Sequence, residues 1–258
     1  MKRLLGRYLP PAVLLAVLIG AWELYVDLHP ASFSLTLPSP HQVASALFHQ
    51  RSLLWSSFLV TGREVVLGIL VATAAGLLLA VAIHFSETFR RAAYPLVIAS
   101  QAVPVVVLAP ILAYWLGFGI GPKLMVVALV SFFSIVVTTL AGLESVDAEL
   151  RKLMRTFDAS RWRTFWHVEL PAALPGLFTG VKIAVAVSVI GAVFAEWNGS
   201  NSGLGYLILV SIPQLEPALS VAAVVVLSVF AIALFGLLAV TERRLLPWAY
   251  ESRGELSP

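Results

Sequence analysis

Apolar residues fall in long runs along almost the whole chain, and short polar stretches separate these runs. An α-helix rises about 1.5 Å per residue, so about 20 apolar residues cross the ~30 Å hydrocarbon core of a bilayer. The runs predict six membrane-spanning helices, at residues 9–26, 65–83, 95–115, 124–143, 174–195 and 218–240. A weaker amphipathic stretch at residues 43–60 predicts an interfacial helix that leads into the second span. The pattern therefore predicts an all-α integral membrane protein.

The composition agrees with this prediction and narrows the chemistry. Hydrophobic residues make up 59% of the chain and charged residues 12%, and the mean hydropathy is +0.92, whereas soluble domains carry about 25% charged residues. The absence of cysteine excludes disulfides, thiolate metal sites and cysteine nucleophiles. The net charge is +3, but the basic residues lie between the apolar runs instead of forming one stripe, so we expect no nucleic-acid partner. The first 26 residues resemble a signal peptide, but no convincing cleavage site follows Ala21, so we expect a retained helix.

The positions of lysine and arginine predict the orientation, because cytoplasmic loops carry an excess of positive charge. With the N-terminus inside, the cytoplasmic segments hold 13 of the 17 basic residues, namely Lys2, Arg3, Arg7, Arg90, Arg91, Arg151, Lys152, Arg155, Arg161, Arg163, Arg243, Arg244 and Arg253. We therefore expect both termini to face the cytoplasm. The expected organisation is an N-terminal helix with an extracytoplasmic link at 1–36, a transmembrane domain at 37–248 and a cytoplasmic tail at 249–258.

Polar groups and prolines within the spans are candidates for a solute pathway. Pro95, Pro104 and Pro110 free backbone carbonyls in the third span, which is tolerable beside a water-filled cavity or a neighbouring helix. This span is therefore either a border of the pathway or a kinked packing helix. The candidate pathway residues are Ser100, Gln101, Ser131, Ser134 and Ser188, with Thr138 and Thr139 beside them. Most hydroxyl groups of this kind bond to a helix backbone instead.

The longest polar connection, residues 144–171, carries two distinct patterns. Leu150, Leu153, Met154 and Phe157 recur at helical spacing and predict a short cytoplasmic helix with one apolar face. A second stretch presents Trp162, Phe165 and Trp166 among Arg161, Arg163 and His167. Aromatic and arginine side chains anchor protein interfaces, but tryptophans also settle at membrane interfaces. The residues alone leave both interpretations open.

The same connection resembles the cytoplasmic signature of binding-protein-dependent ABC importer permeases, written E-A-A, three residues, G, nine residues, I-x-L-P. The frame falls on Lys152-Leu153-Met154, then Asp158, then Val168-Glu169-Leu170-Pro171. The spacing is kept and the letters differ, although aspartate is among the few residues that adopt the left-handed conformation of a glycine position. Residues 37–40, 100–123, 159–184 and 192–208 are similar to permeases for sulfonates, taurine, nitrate and thiamine precursors. The resemblance covers about residues 37–248.

The resemblance implies a type I ABC importer permease fold in the bacterial inner membrane, and a subunit that is not an enzyme. It implies that the connection docks into a cytoplasmic ATPase dimer through Arg151, Lys152, Met154, Arg155, Phe157, Asp158, Ala159, Ser160, Trp162, Leu170 and Pro171. It also implies a second permease copy, most simply a homodimer, and an extracytoplasmic solute-binding protein. The chain has no G-x-x-x-x-G-K-[ST] segment, so ATP and magnesium belong to the ATPase. The solute is expected to be a thiamine pyrimidine precursor, with sulfonate, taurine, nitrate or riboflavin-like solutes as alternatives.

Two other classes of protein would require different sequence features. An intramembrane enzyme needs a nucleophile with a base or a metal cluster within the bilayer, but all five histidines lie at span edges or in loops. A channel or passive carrier needs neither an ATPase nor the long connection. The glycine-rich residues 199–205 lack the serine of a nucleophile elbow and are expected to form an extracytoplasmic loop.

Charged residues near the span ends are expected to anchor those ends. Lys182 is expected to reach toward the cytoplasmic headgroups. Glu196 is expected to lie with Trp197 at the opposite membrane edge, and Arg63 with Glu64 is expected to mark the start of the second span.

Overall fold

The computed structural model describes residues 2–29 and 36–249, and every regular element within them is a helix. The α-helices are α1 (Lys2–Asp27), α2 (Pro40–His49), α3 (Arg51–Phe85), α4 (Glu87–Ala99), α5 (Val105–Leu116), α6 (Ile120–Glu144), α7 (Ala148–Thr156), α8 (Arg161–Thr164), α9 (Leu170–Trp197), α10 (Leu204–Ser211) and α11 (Pro217–Leu245). A 3₁₀ turn at Ser100–Ala102 follows α4, and a π-helical turn at Phe165–Glu169 joins α8 to α9. The predicted tail beyond residue 249 and residues 30–35 of the predicted link lie outside the described residues.

Five helical segments of the described chain are long and apolar enough to cross a membrane, and a bent helix pair makes a sixth candidate. The five are Leu9–Asp27, Arg51–Phe85, Ile120–Glu144, Arg161–Trp197 and Pro217–Leu245. They match the predicted first, second, fourth, fifth and sixth spans. The amphipathic stretch at 43–60 is not one interfacial helix, because it divides between α2 and the first turns of α3.

The third predicted span is broken. The two parts, Glu87–Ala102 and Val105–Leu116, meet at an angle of 102°. Val103 adopts an extended conformation, with φ −82° and ψ 119°, immediately before Pro104. Proline lacks the N–H of a helical hydrogen bond and disfavours the α conformation of the residue before it. The prediction of a single span at 95–115 is therefore wrong in shape, and the break has a local cause.

The described chain forms two compact units. The first contains residues 2–29, 36–60 and 202–228. Within it, Glu23 of α1 forms an ion pair with His41 at the start of α2. Ser39 caps α2 by accepting a hydrogen bond from the backbone N–H of Gln42. Ser220 of α11 donates a hydrogen bond of 3.3 Å to the Ile208 carbonyl of α10. These contacts order the ends of the helices within this unit.

The second unit contains residues 61–201 and 229–249 and centres on α6. Small residues spaced four apart on α9 form one stripe, composed of Gly176, Gly180, Ala184, Ser188 and Ala192. A β-carbon on Gly180 would lie 2.8 Å from the Ile135 Cα of α6, which real β-carbons do not tolerate. Membrane helices associate through such stripes, because lipid is as apolar as leucine and close backbone packing has to supply the attraction.

Helix α3 also packs closely against α6. A β-carbon on Gly76 would lie 2.8 Å from the Ile135 side chain, and Ala72 and Ala80 on the same stripe are fully buried. A buried apolar cluster that includes Val65, Val127 and Val185 joins α3, α6 and α9. These three helices form the core that carries the connection 144–171.

Candidate functional site

The connection at 144–171 folds into two short helices whose ends are individually capped. The Asp147 side chain accepts a hydrogen bond of 2.9 Å from the N–H of Glu149 and begins α7. At the other end, the N–H of Asp158 donates to the Arg155 carbonyl at 3.1 Å and the N–H of Ala159 donates to the Met154 carbonyl at 3.0 Å. This pair of bonds is a Schellman motif, which requires a left-handed residue after the helix. Asp158 occupies that position with φ 54°, as expected for the residue that replaces the motif glycine.

The outer face of these short helices carries both apolar and basic side chains. Phe157 is 71% exposed and Trp162 is 60% exposed, and Leu153 is also exposed. Lys152 and Arg155 are exposed beside them. Several large exposed apolar side chains on one short segment are costly in water and mark interaction sites. The exposed face of α7 and α8 therefore has the character of an interaction surface.

The connection is held to the helical core through Glu169. The Glu169 carboxylate lies 2.9 Å from His84 Nε2 at the end of α3 and 3.0 Å from Arg151 Nε on α7. Arg151 also donates a hydrogen bond of 3.0 Å to the Leu143 carbonyl at the end of α6. Glu169 is the second residue of the I-x-L-P-like element Val168–Pro171 and is itself buried. One carboxylate thus joins the ends of α3, α7 and α9.

An aromatic cluster strengthens this attachment. The Phe85 ring, at the end of α3, lies 5.0 Å from the Trp162 ring and 5.1 Å from the Phe165 ring, centroid to centroid. The Arg161 guanidinium lies over the same Phe85 ring at 5.0 Å. Because aromatic and cation–π contacts each stabilise by roughly 0.5–1.5 kcal/mol, they make the connection move with the core rather than independently of it.

The predicted coupling residues fall into two groups in the structure. The exposed ones are Lys152, Arg155, Phe157, Asp158, Ser160 and Trp162, and the half-buried ones are Arg151, Met154, Ala159, Leu170 and Pro171. The half-buried Arg151 is committed to Glu169, so it holds the connection in place instead of projecting from it. The exposed group contains the side chains that are available to a partner.

The predicted pathway residues are mostly bonded to helix backbone. Ser100 Oγ donates to the Val97 carbonyl at 2.7 Å, Ser134 Oγ to the Ser131 carbonyl at 2.9 Å, and Ser188 Oγ to the Val185 carbonyl at 2.8 Å. Ser131 and Ser188 are fully buried. Their part in a pathway stays a prediction.

Gln101 differs from these residues. It is exposed in the 3₁₀ turn at the break between α4 and α5.

Two expectations about charged residues are wrong, because these residues pair inside the protein. Lys182 does not reach toward the headgroups, since its Nζ lies 2.7 Å from Glu242 Oε2 on α11. Glu196 does not anchor α9 in the membrane interface, since its side chain is fully buried and accepts a hydrogen bond of 2.6 Å from Thr61 Oγ1. Charges within spans are costly in lipid and are paired with one another.

A third pair was also missed at the other end of the second unit. Lys123 Nζ lies 2.7 Å from Glu64 Oε1 and 2.7 Å from Ser200 Oγ. Glu64 is only 2% exposed and pairs with Lys123 inside the protein, so it does not anchor the start of the second span in the membrane interface as expected. The sequence does contain a signal for this pair, because Glu64 and Lys123 lie at the same predicted depth at the starts of two spans. The interpretation of Glu64 as an anchor of a span end did not use that signal.

The fold and this site together define a class of protein: a multi-pass membrane subunit in which the connection at 144–171 is held to the helical core by polar and aromatic contacts and presents an apolar, basic face. The chain belongs to the family of binding-protein-dependent transport system inner membrane components, whose model matches residues 66–247.

Individual relatives agree with this family. The chain is 35% identical over 230 residues to a probable ABC transporter permease protein of Haemophilus influenzae, covering 89% of this chain and 93% of the relative. It is 34% identical over 241 residues to the formylaminopyrimidine transport permease protein ThiX of Halalkalibacterium halodurans, covering 93% and 96%. An inward-facing structure of the MetNI methionine ABC transporter matches with a TM-score of 0.63 at 18% identity, covering 76% of this chain and 95% of that one. The last match shows the fold.

The chain is therefore the permease subunit of an ABC importer, a transport component rather than an enzyme, in the bacterial inner membrane. This family membership confirms the predicted fold class and sets the intramembrane-enzyme alternative aside. A permease of this type associates with an ATPase and a substrate-binding protein.

Proposed function

We propose that residues 144–171 couple this permease to its ATPase, and that the exposed face of α7 and α8 is the surface that the ATPase contacts. The single observation that carries the proposal is the exposure of Phe157 and Trp162 on a segment that the contact of Glu169 with His84 fastens to α3. An exposed anchor without a rigid attachment could bind a partner but could not transmit its movement. This segment has both properties.

In the proposed cycle, ATP and magnesium bind to two ATPase subunits, and closure of those subunits displaces the connection as a rigid body. The displacement reaches the core through the Glu169 ion pairs and the Phe85 aromatic contacts, and the spans change between outward-open and inward-open arrangements. Two copies of this chain form the pathway as a homodimer. A channel would need none of these attachments.

The coupling proposal is tested by truncating one exposed anchor. Phe157→Ala removes a side chain that is 71% exposed, so the fold is expected to survive. Loss of an interface anchor costs about 2 kcal/mol, or roughly a 30-fold weaker association. We expect the variant to lose ATPase in a pull-down and to lose ATP-driven uptake in proteoliposomes.

The matched control is Phe48→Ala, which removes an equally exposed phenyl ring from α2, on the predicted extracytoplasmic side. It should bind the ATPase as the wild type does. Equal ATPase binding by Phe157→Ala and the wild type would refute the proposed contact surface.

The proposed solute is a thiamine pyrimidine precursor or a similar small polar molecule. The support is the 34% identity to the formylaminopyrimidine permease ThiX across 93% of this chain. The taurine permease TauC of Escherichia coli is 29% identical over 91% of the chain and supports the sulfonate alternative.

The solute is tested with the complete importer. Mass spectrometry of the ligand carried by the cognate solute-binding protein, followed by uptake of labelled formylaminopyrimidine and labelled taurine into proteoliposomes, compares the two candidates directly. Uptake of taurine alone would overturn the pyrimidine proposal and leave the coupling proposal intact.

A further inference from the structure

A cavity of about 460 Å³ opens on the cytoplasmic side of the second unit, between the core and the connection. Four arginines line it, Arg90, Arg151, Arg155 and Arg161, together with the two carboxylates Glu144 and Glu169. One water takes up about 30 Å³ in the liquid, so the cavity holds a small anion with its hydration shell.

The cationic side chains of this cavity outnumber the anionic ones. Arg90 is paired with Glu144, and Arg151 is paired with Glu169 at 3.0 Å. Arg155 and Arg161 form no ion pair with any carboxylate in the described part of the chain. Among the described residues, two guanidinium groups of the cavity are therefore not paired with a carboxylate.

One of these two guanidinium groups is already oriented. Arg161 lies over the Phe85 ring at 5.0 Å, which restricts the guanidinium plane. The N–H donors of a stacked guanidinium lie within that plane and stay available to another acceptor. Thr164, on the same helix, also lines the cavity. The cavity thus combines fixed and mobile donors, as anion sites do.

The cavity lies at the ends of candidate membrane spans. Its walls come from the end of α3, the first turns of α4 and the end of α6, on the side that the positive-inside pattern assigns to the cytoplasm. Phosphate groups of lipids are concentrated at this depth, and basic pockets between spans on the cytoplasmic side bind anionic headgroups.

We propose that this cavity binds a phosphate group, supplied either by the headgroup of an anionic lipid or by free phosphate. Guanidinium groups bind phosphate through paired N–H donors more strongly than they bind neutral acceptors. A phosphate between Arg155 and Arg161 joins the end of α7 to the start of α8 and neutralises their mutual repulsion. Binding therefore stabilises the folded arrangement of the connection itself, independently of which solute is transported.

The experiment uses the purified complex of the permease with its ATPase in detergent. Phosphatidylglycerol retained by the complex is counted by native mass spectrometry, and the thermal midpoint is followed by tryptophan fluorescence. The same titration is repeated with inorganic phosphate against chloride at equal ionic strength. We expect the wild type to retain the lipid and to gain thermal stability from it.

The test variant is Arg155→Gln with Arg161→Gln, which removes the two unpaired cavity charges. The matched control is Lys152→Gln with Arg163→Gln, which removes two exposed charges of the same connection that do not line the cavity. We expect at least a tenfold loss of lipid affinity in the test variant and less than a twofold change in the control. Midpoints measured without lipid show that both variants are folded.

The remaining outcomes separate the sources and the alternatives. Displacement of the lipid by millimolar inorganic phosphate, with equal stabilisation, assigns the site to free phosphate. An equal loss in the test and control variants shows unspecific attraction and overturns the proposal. The proposal is also overturned if the test variant binds phosphate and lipid as the wild type does but associates more weakly with the ATPase. That result would indicate that the two arginines bind an acidic side chain of the ATPase.

Discussion

The buried pair of Glu64 and Lys123 yields the sharpest prediction about stability. The Lys123 ammonium lies 2.7 Å from the Glu64 carboxylate, and their side chains are 14% and 3% exposed respectively. Lys123→Met removes the ammonium and leaves the carboxylate buried without its cation. Removing one partner of a buried pair costs about 3–5 kcal/mol, because the other charge stays desolvated. We expect a loss of this size in the free energy of unfolding.

The assay is unfolding in mixed micelles with a rising fraction of denaturing detergent, followed by the fluorescence of the 7 tryptophans. Adding Glu64→Gln to Lys123→Met removes the stranded charge and should restore at least half of the lost stability. Arg63→Met, which removes an exposed cation one residue from Glu64, is the matched control and should change stability by less than about 0.5 kcal/mol. A loss below about 1 kcal/mol for Lys123→Met, or a double variant no more stable than the single one, would refute the reasoning.

Three further predictions concern the second unit. Gly180→Ala should lower the free energy of unfolding by about 1–3 kcal/mol, because the new β-carbon meets the α6 backbone. The control Gly236→Ala, which has open space around it, should leave stability unchanged. Detergent unfolding of both variants compares them. Asp158→Gly should keep the stability of the wild type and its ATPase binding. Asp158→Val should lower the free energy of unfolding by about 1–3 kcal/mol, because a β-branched residue is strained at φ 54°. Equal unfolding midpoints for the two variants would contradict this. Lys182→Met should unfold at a lower detergent fraction than the wild type, and Glu242→Gln in the same chain should reverse the effect; no reversal would show that the pair is not the cause.

Features that depend on neighbouring residues could be predicted from the sequence. Five spans were confirmed because the length of an apolar run is compared directly with the thickness of the bilayer. The short helix α7 was confirmed because Leu150 and Phe157 share one face of it, and the left-handed Asp158 follows from a residue type that tolerates that conformation. The break near Pro104 also has a local signal, although its 102° angle does not.

The buried charges show where prediction from sequence ended. Lys123 and Glu64 are 59 residues apart, and Thr61 and Glu196 are 135 residues apart. A charge near a span end is stabilised equally well by headgroups or by an opposite charge on another helix, and the sequence does not state which helix faces which. The interpretation of these charged residues as anchors of the span ends was therefore wrong.

The sequence by itself determined that this chain crosses the membrane with a basic cytoplasmic side, since hydrophobic length and charge are properties of single segments. It also located the connection at 144–171, since both the short helix and the family spacing are local. Only the tertiary structure decided that Glu169 fastens this connection to α3 through His84, and that Arg155 and Arg161 line a cavity in which neither is paired with a carboxylate of the described residues. The physical reason is that pairing and desolvation depend on which side chains from distant segments meet.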